Sequence, residues 1–158
     1  MKTGMCSTPA VAEARLTTHK IEFPYTRTLG PVVGPFLTGL RDGKILGITT
    51  GDGRVLAPPL EWDPDTGESL DPASMTEVGP GGVVETWAWV NQPTRKHPLD
   101  HPFAFALIKL DGADTSIMHA VDAGSEDSMS TGMRVTARWK DERVGHITDV
   151  AFVPEGAA

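Results

Sequence analysis

The chain has 158 residues, enough for one compact domain with an arm, and one main core is the reading adopted. Its formal net charge is −7, with seven Lys/Arg against ten Asp/Glu in residues 1–82 and seven against eleven in 83–158. Neither half offers the basic platform with which a nucleic-acid binder displaces counterions. The single cysteine, Cys6, excludes an internal disulfide, and no run approaches the ~18–20 apolar residues of a membrane span or the charged start and apolar core of a signal peptide. A cytoplasmic chain with no membrane contact is expected.

Residues 1–33 read as an N-terminal arm with a helix-compatible patch at 10–16. Phe23 and Tyr25 flank Pro24, and an exposed aromatic pair of this kind packs on the body or on a partner. Over 34–43 the spacing of Phe36, Leu37 and Leu40 predicts a short amphipathic helix, with Pro35 near its first turn and Gly43 as its C-cap. Strands are expected over 44–48 and 54–57.

Two tight turns follow one another here: Gly51-Asp52-Gly53 and Asp63-Pro64-Asp65-Thr66-Gly67, with Pro58-Pro59 between them. They look like the two knuckles of a zinc ribbon that has lost its cysteines. The four positions that would carry sulfur hold Thr49, Asp52, Asp63 and Thr66, a poor donor set for zinc. The knuckles are therefore read as metal-free, and a weak hard-cation site from Asp52, Asp63 and Asp65 is the competing reading. Trp62, an indole inside a charged turn, is the candidate interface anchor, together with Phe23, Tyr25, Pro58 and Pro59.

The polar segment 68–82 reads as a linker or ordered loop. Five β-branched or aromatic runs come next, over 83–91, 103–110, 115–121, 133–140 and 146–153, with turn residues between them. Five short antiparallel strands suggest a small closed barrel, and the OB-fold is the common five-stranded solution. The fold class is thus mainly β: an OB-fold barrel over 79–154, preceded over 34–78 by a short helix and a degenerate zinc-ribbon-like element, and followed by a tail at 155–158. On the first barrel strand Trp87 and Trp89 share a face, which either stacks bases or packs on neighbouring elements. Trp139 is read as a core or rim residue and His119 as a hydrogen-bonded strand residue.

The loop 91–102 is the richest in function-capable groups, holding Arg95, Lys96, His97, Asp100 and His101. Arg95 and Lys96 could meet phosphates. His97 and His101 have metal-like spacing, but Pro98 and Pro102 break the helix that would put both rings on one face.

The ordered set Phe36, Leu40, Gly47, Gly53-Arg54-Val55, Pro58-Pro59, Gly67, the strands at 84–93 and 103–112, and Thr131 to Val135 resembles the acyl-CoA-associated OB-fold and zinc-ribbon family, known as domain of unknown function 35. The resemblance implies an accessory subunit that binds and activates a thiolase-fold enzyme acting on acyl-CoA thioesters. The loss of cysteines is most similar to the branch that serves the steroid side-chain retro-aldolase. It further implies no tightly bound cofactor, acyl-CoA as substrate of the complex, CoA contacts at Arg95, Lys96 and His97, no catalytic residue in this chain, and a two-plus-two heterotetramer with the aldolase. Two other readings compete: a single-strand nucleic-acid-binding OB-fold protein using the Trp pair, and a self-sufficient enzyme using His97, Asp100 and His101.

Overall fold

The computed structural model describes residues 17–26 and 28–156. Cys6 and the patch at 10–16 lie outside them. The helix α1 spans Gly30–Arg41, starting four residues before the sequence expectation. Pro31 accounts for the early start, because the first turn needs no N–H from it and its fixed φ suits a helix. Val32, Phe36 and Leu40 recur at i, i+4 and i+8 and are buried, which defines the inward face. Gly43, at φ 77°, ends the helix: its N–H reaches Leu40 O at 3.2 Å, and Lys44 N–H reaches Gly39 O at 2.8 Å.

A three-stranded antiparallel sheet follows, ordered β2-β1-β3, with β1 Ile45–Thr49, β2 Val55–Leu56 and β3 Met75–Val78. Gly47 is required in β1, since a Cβ there would lie 2.9 Å from Leu56 O and from a Val55 methyl. The segment 68–82 is therefore not simply a linker: β3 runs in register with β1, pairing Ile45 with Val78 and Ile48 with Met75.

The barrel comprises β4 Gly81–Val90, β5 Phe103–Leu110, β6 Ser116–Val121, β7 Arg134–Trp139 and β8 Val150–Pro154, closed in the order β4-β5-β6-β8-β7. A register shift between Val84 and Thr86 leaves Glu85 as a bulge, which helps β4 curve so that it pairs with both β5 and β7. The all-antiparallel expectation is corrected at one place. β6 and β8 meet in parallel, with Val121 opposite Phe152. The last strand is also shorter than expected, because residues 147–149 form a 3-10 turn. Asp149 Oδ2 accepts the backbone N–H groups of Val144, Gly145 and His146 at 2.9, 2.7 and 2.9 Å, and this holds the chain out of the ladder until Val150.

One core joins the two parts. Phe36 and Leu40 of α1, Ile45 of β1 and Ala57 cluster with Val84, Ile108, Val135 and Phe152 of the barrel. Polar bonds reinforce the joint: Val55 N–H donates to Asp114 Oδ2 at 2.8 Å, Asp114 N–H to Val55 O at 2.8 Å, and Ala57 N–H to Thr115 Oγ1 at 2.8 Å. Arg143 donates from Nε to Arg41 O at 3.0 Å, capping the end of α1. No helix among the described residues is long and apolar enough to cross a membrane.

Candidate functional site

The two knuckles face each other across a cleft of about 690 Å3 lined by Thr49, Asp52, Arg54, Asp63, Asp65 and Thr66, among others. The first is the hairpin end joining β1 to β2, closed by Gly53 N–H to Thr50 O at 3.0 Å. The second is a small hairpin of its own, with Asp63 N–H to Glu68 O and Gly67 N–H to Asp63 O, both 2.8 Å, and a bridge between Trp62 and Ser69. Asp63 is buried, and its Oδ1 accepts the Asp65 amide at 2.9 Å, which is the side-chain turn that an Asp at this place makes.

What spans the cleft is Arg54. Its Nε donates to Asp52 Oδ2 at 2.7 Å and its Nη2 to Asp65 Oδ2 at 2.5 Å, with Asp63 Oδ1 at 3.9 Å from the same Nη2. The Thr50 hydroxyl donates to the other oxygen of Asp52. Thr50 first, and Arg54 after it, hold the Asp52 carboxyl down to about 2. The hydroxyls and carboxylates at the four sulfur positions do not suit zinc, and a guanidinium already bridges the carboxylates that would attract a hard cation. Arg54→Ala is expected to part the knuckles, seen as faster amide exchange over 51–53 and 64–67 while the barrel amides stay unchanged. Arg54→Lys should rescue only one side, since an ammonium cannot fork to two carboxylates. Unaltered exchange in both turns of the alanine variant would show that Arg54 is not the bridge.

The loop 91–102 projects between β4 and β5. His97 N–H bonds Thr94 O at 2.9 Å, which puts Arg95 and Lys96 at the exposed tip of a turn. His97 turns inward. Its Nδ1 accepts the Thr94 amide at 2.9 Å and its ring meets Phe103 and Phe105 edge-on, with centroids 5.9 and 6.0 Å apart. His101 is held between two carboxylates, Nδ1 at 3.0 Å from Asp100 Oδ1 and Nε2 at 3.2 Å from Asp122 Oδ2. Thus the His97 ring packs on phenyl rings, while each nitrogen of His101 faces a carboxylate. Lys96 borders a groove of about 310 Å3 floored by Phe105, Met118, Ala120 and Ile147. Among the described residues, no carboxylate lines that groove, on a chain of net charge −7.

Behind the groove lies His119, a residue of the structural kind the sequence suggested. Its Nδ1 accepts the Ala120 amide at 2.9 Å, so Nε2 carries the proton donated to Ile147 O at 3.0 Å. Burial pushes its pKa down, and the ring is neutral. The Trp pair is half-buried. Trp87 and Trp89 stand opposite Ala106 and Ala104, whose small side chains leave room for indoles, and both pack against the core cluster, as does Trp139.

The interface candidates separate. Phe23 and Tyr25 are 81% and 80% exposed, Trp62 is 59% exposed, and Pro58 is exposed, whereas Pro59 is buried. Trp62 borders a depression of about 800 Å3, between the start of α1 and the second knuckle, with Leu29, Pro31, Val33 and Leu60. Among the described residues, Phe23 and Tyr25 do not line it. Leu29 and Leu60 were missed by the sequence reading. Leu60 could have been found as an apolar residue stranded between Pro58-Pro59 and a charged turn.

Residues 75–140 match the family described as the C-terminal OB-fold domain of ChsH2. Among solved structures, a chain of the "Ltp2-ChsH2(DUF35) aldolase" superposes with a TM-score of 0.60 at 18% identity, covering 77% of this chain and 92% of that one. A protein of unknown function from the DUF35 family of Sulfolobus solfataricus gives a TM-score of 0.60 at 15% identity, over 80% of this chain and 87% of that one. No curated protein matches the chain.

Proposed function

We propose that this chain, whose residues 75–140 match the family described as the C-terminal OB-fold domain of ChsH2, is an accessory subunit of a thiolase-fold enzyme acting on acyl-CoA thioesters. The reaction we assign to the complex is a retro-aldol cleavage of a steroid side chain that releases a short acyl-CoA. The observation that carries the reading is the open apolar depression around Trp62, on a fold shared with a subunit of an aldolase complex. An exposed indole ringed by aliphatic side chains is costly to leave in water and is the kind of anchor that dominates protein interfaces.

In this reading the partner holds the catalytic acid and base. His97, His101 and His119 each make protein contacts through at least one ring nitrogen, and in this reading those contacts give them structural roles. Arg95 and Lys96 meet the phosphates of CoA from the tip of their turn, and His97 props that turn against Phe103 and Phe105. Acyl-CoA is the substrate of the complex, no cofactor is held tightly, and two copies of each chain form the cytoplasmic assembly.

The test begins with purification of the chain from its native lysate at moderate salt. A thiolase-fold protein in stoichiometric amount is expected, as is turnover of a steroid 3-hydroxyacyl-CoA only when both chains are present. Turnover by this chain alone at the complex's rate would overturn the assignment of roles, and the absence of any stoichiometric partner would remove the reading. In the active complex, Arg95→Glu with Lys96→Glu is expected to raise KM for the thioester about tenfold, with kcat changed less than about twofold, since charge-assisted contacts to remote phosphates act on binding. An unchanged KM would place the phosphates elsewhere.

A further inference from the structure

Twelve residues, 91–102, leave the barrel at the end of β4 and return at β5. Their hydrogen bonds are almost all local: Trp89 to Asn91, His97 to Thr94, Thr94 to His97 and Lys96 to Thr94. Among the described residues, one polar contact ties the loop to a residue distant in sequence, from His101 Nε2 to Asp122 Oδ2 at 3.2 Å. Asp122 follows β6, and its Oδ2 also takes Arg138 Nη2 of β7 at 2.7 Å. The charged groups around the ring are thus Asp100 from its own loop, Asp122 beyond β6, and Arg138 of β7 behind Asp122.

An imidazole with a carboxylate at each nitrogen satisfies both only when it carries two N–H groups. The neutral ring has one, and it turns a lone pair toward the other carboxylate. We propose that His101 is a proton-operated anchor of the cationic loop: charged, it fastens 91–102 to the barrel, and neutral, it lets the tip bearing Arg95 and Lys96 go. The hydrogen bond to Asp100, and after it the contacts with Asp122, raise the pKa of His101 above the ordinary histidine value. The native pKa lies above the unfolded one, so the anchoring is complete below the unfolded value and is lost as pH rises through the native value. The consequence for CoA rests on the function proposed above, while the anchor itself does not.

The test uses the full chain. The His101 ring is titrated by 15N NMR, and amide exchange over 94–101 is followed on the same sample, corrected for the intrinsic pH dependence of exchange. Loop protection is expected to fall about two- to fivefold as His101 loses its proton, the range set by a partly exposed ion pair. In His101→Gln, whose amide still donates to Asp122 but does not titrate, protection should be intermediate and independent of pH. Protection that stays level through the His101 titration, or that follows pH equally in the glutamine variant, would overturn the proposal. The two readings fail separately. If KM ignores the charge reversal at Arg95 and Lys96 while the loop still follows His101, the CoA assignment falls and the anchor stands. If the loop ignores His101, the anchor falls whatever CoA does.

Discussion

Asp149→Ala is expected to destabilise the chain by about 2–3 kcal/mol, seen as a fall in Tm of about 5–10 °C. One carboxylate oxygen accepts three consecutive backbone N–H groups, and the residue is 2% exposed, so deletion strands donors that the turn cannot re-pair internally. The loss extends inward, because that turn presents Ile147 O to the neutral His119 ring. Burial works to raise the Asp149 pKa, but the amides of His146, Gly145 and Val144 outweigh it and hold the carboxyl below its ordinary value. Its stabilisation is therefore complete above the unfolded-state pKa and is lost as pH falls through the native one, so the gap between wild type and variant should close in acid. Asp149→Asn, which keeps an acceptor without charge, should lose roughly half as much. A variant melting within about 1 °C of wild type, with unchanged exchange over 144–148, would show that the turn does not depend on this side chain.

Trp62→Ala is expected to weaken binding to the thiolase-fold partner proposed above about thirtyfold, or ~2 kcal/mol, with little change in the stability of the isolated chain. The indole is 59% exposed and lies outside both core clusters, so truncation removes little folded-state packing. On the assembled surface the same change would empty the centre of the depression that Leu29, Val33 and Leu60 frame. Leu60→Ala should produce a smaller loss in the same direction. Calorimetry or surface binding with the co-purified partner reads the difference. Affinity preserved within about threefold would move the interface off this face and direct attention to Phe23 and Tyr25.

Much of the barrel was legible because β5 and β6 are short apolar runs closed by turn residues, and the observed Phe103–Leu110 and Ser116–Val121 differ from the expected runs by one residue at most. β3 was not. Its four residues, Met-Thr-Glu-Val, expose the two central side chains and bury only Val78 fully, so no period rises above the polar segment around it. The run at 146–153 misled for another reason. His146 and Asp149 stand at the first and fourth places of a capping box, and that spacing was the available signal of a turn rather than a strand. At the candidate site, the exposed Trp62 was readable as an indole among charges, while Pro59, next to exposed Pro58, is buried.

By itself the sequence determined the elements whose cause is local: a helix ended by Gly43, two knuckles built on Gly and Asp, and five barrel strands set apart by their turns. Only the tertiary structure decided which distant groups meet. The face of Trp87 and Trp89 became inward because Ala104 and Ala106 lie opposite and leave the volume for them. Arg54 became the bridge between knuckles because the second hairpin folds back to bring Asp65 to its guanidinium, eleven residues along the chain. His101 came to lie between two carboxylates because β6 ends where Asp122 can reach it. Charge pairing and volume matching depend on separations of a few ångströms across the fold, and a one-dimensional pattern carries no such distance until the barrel closes.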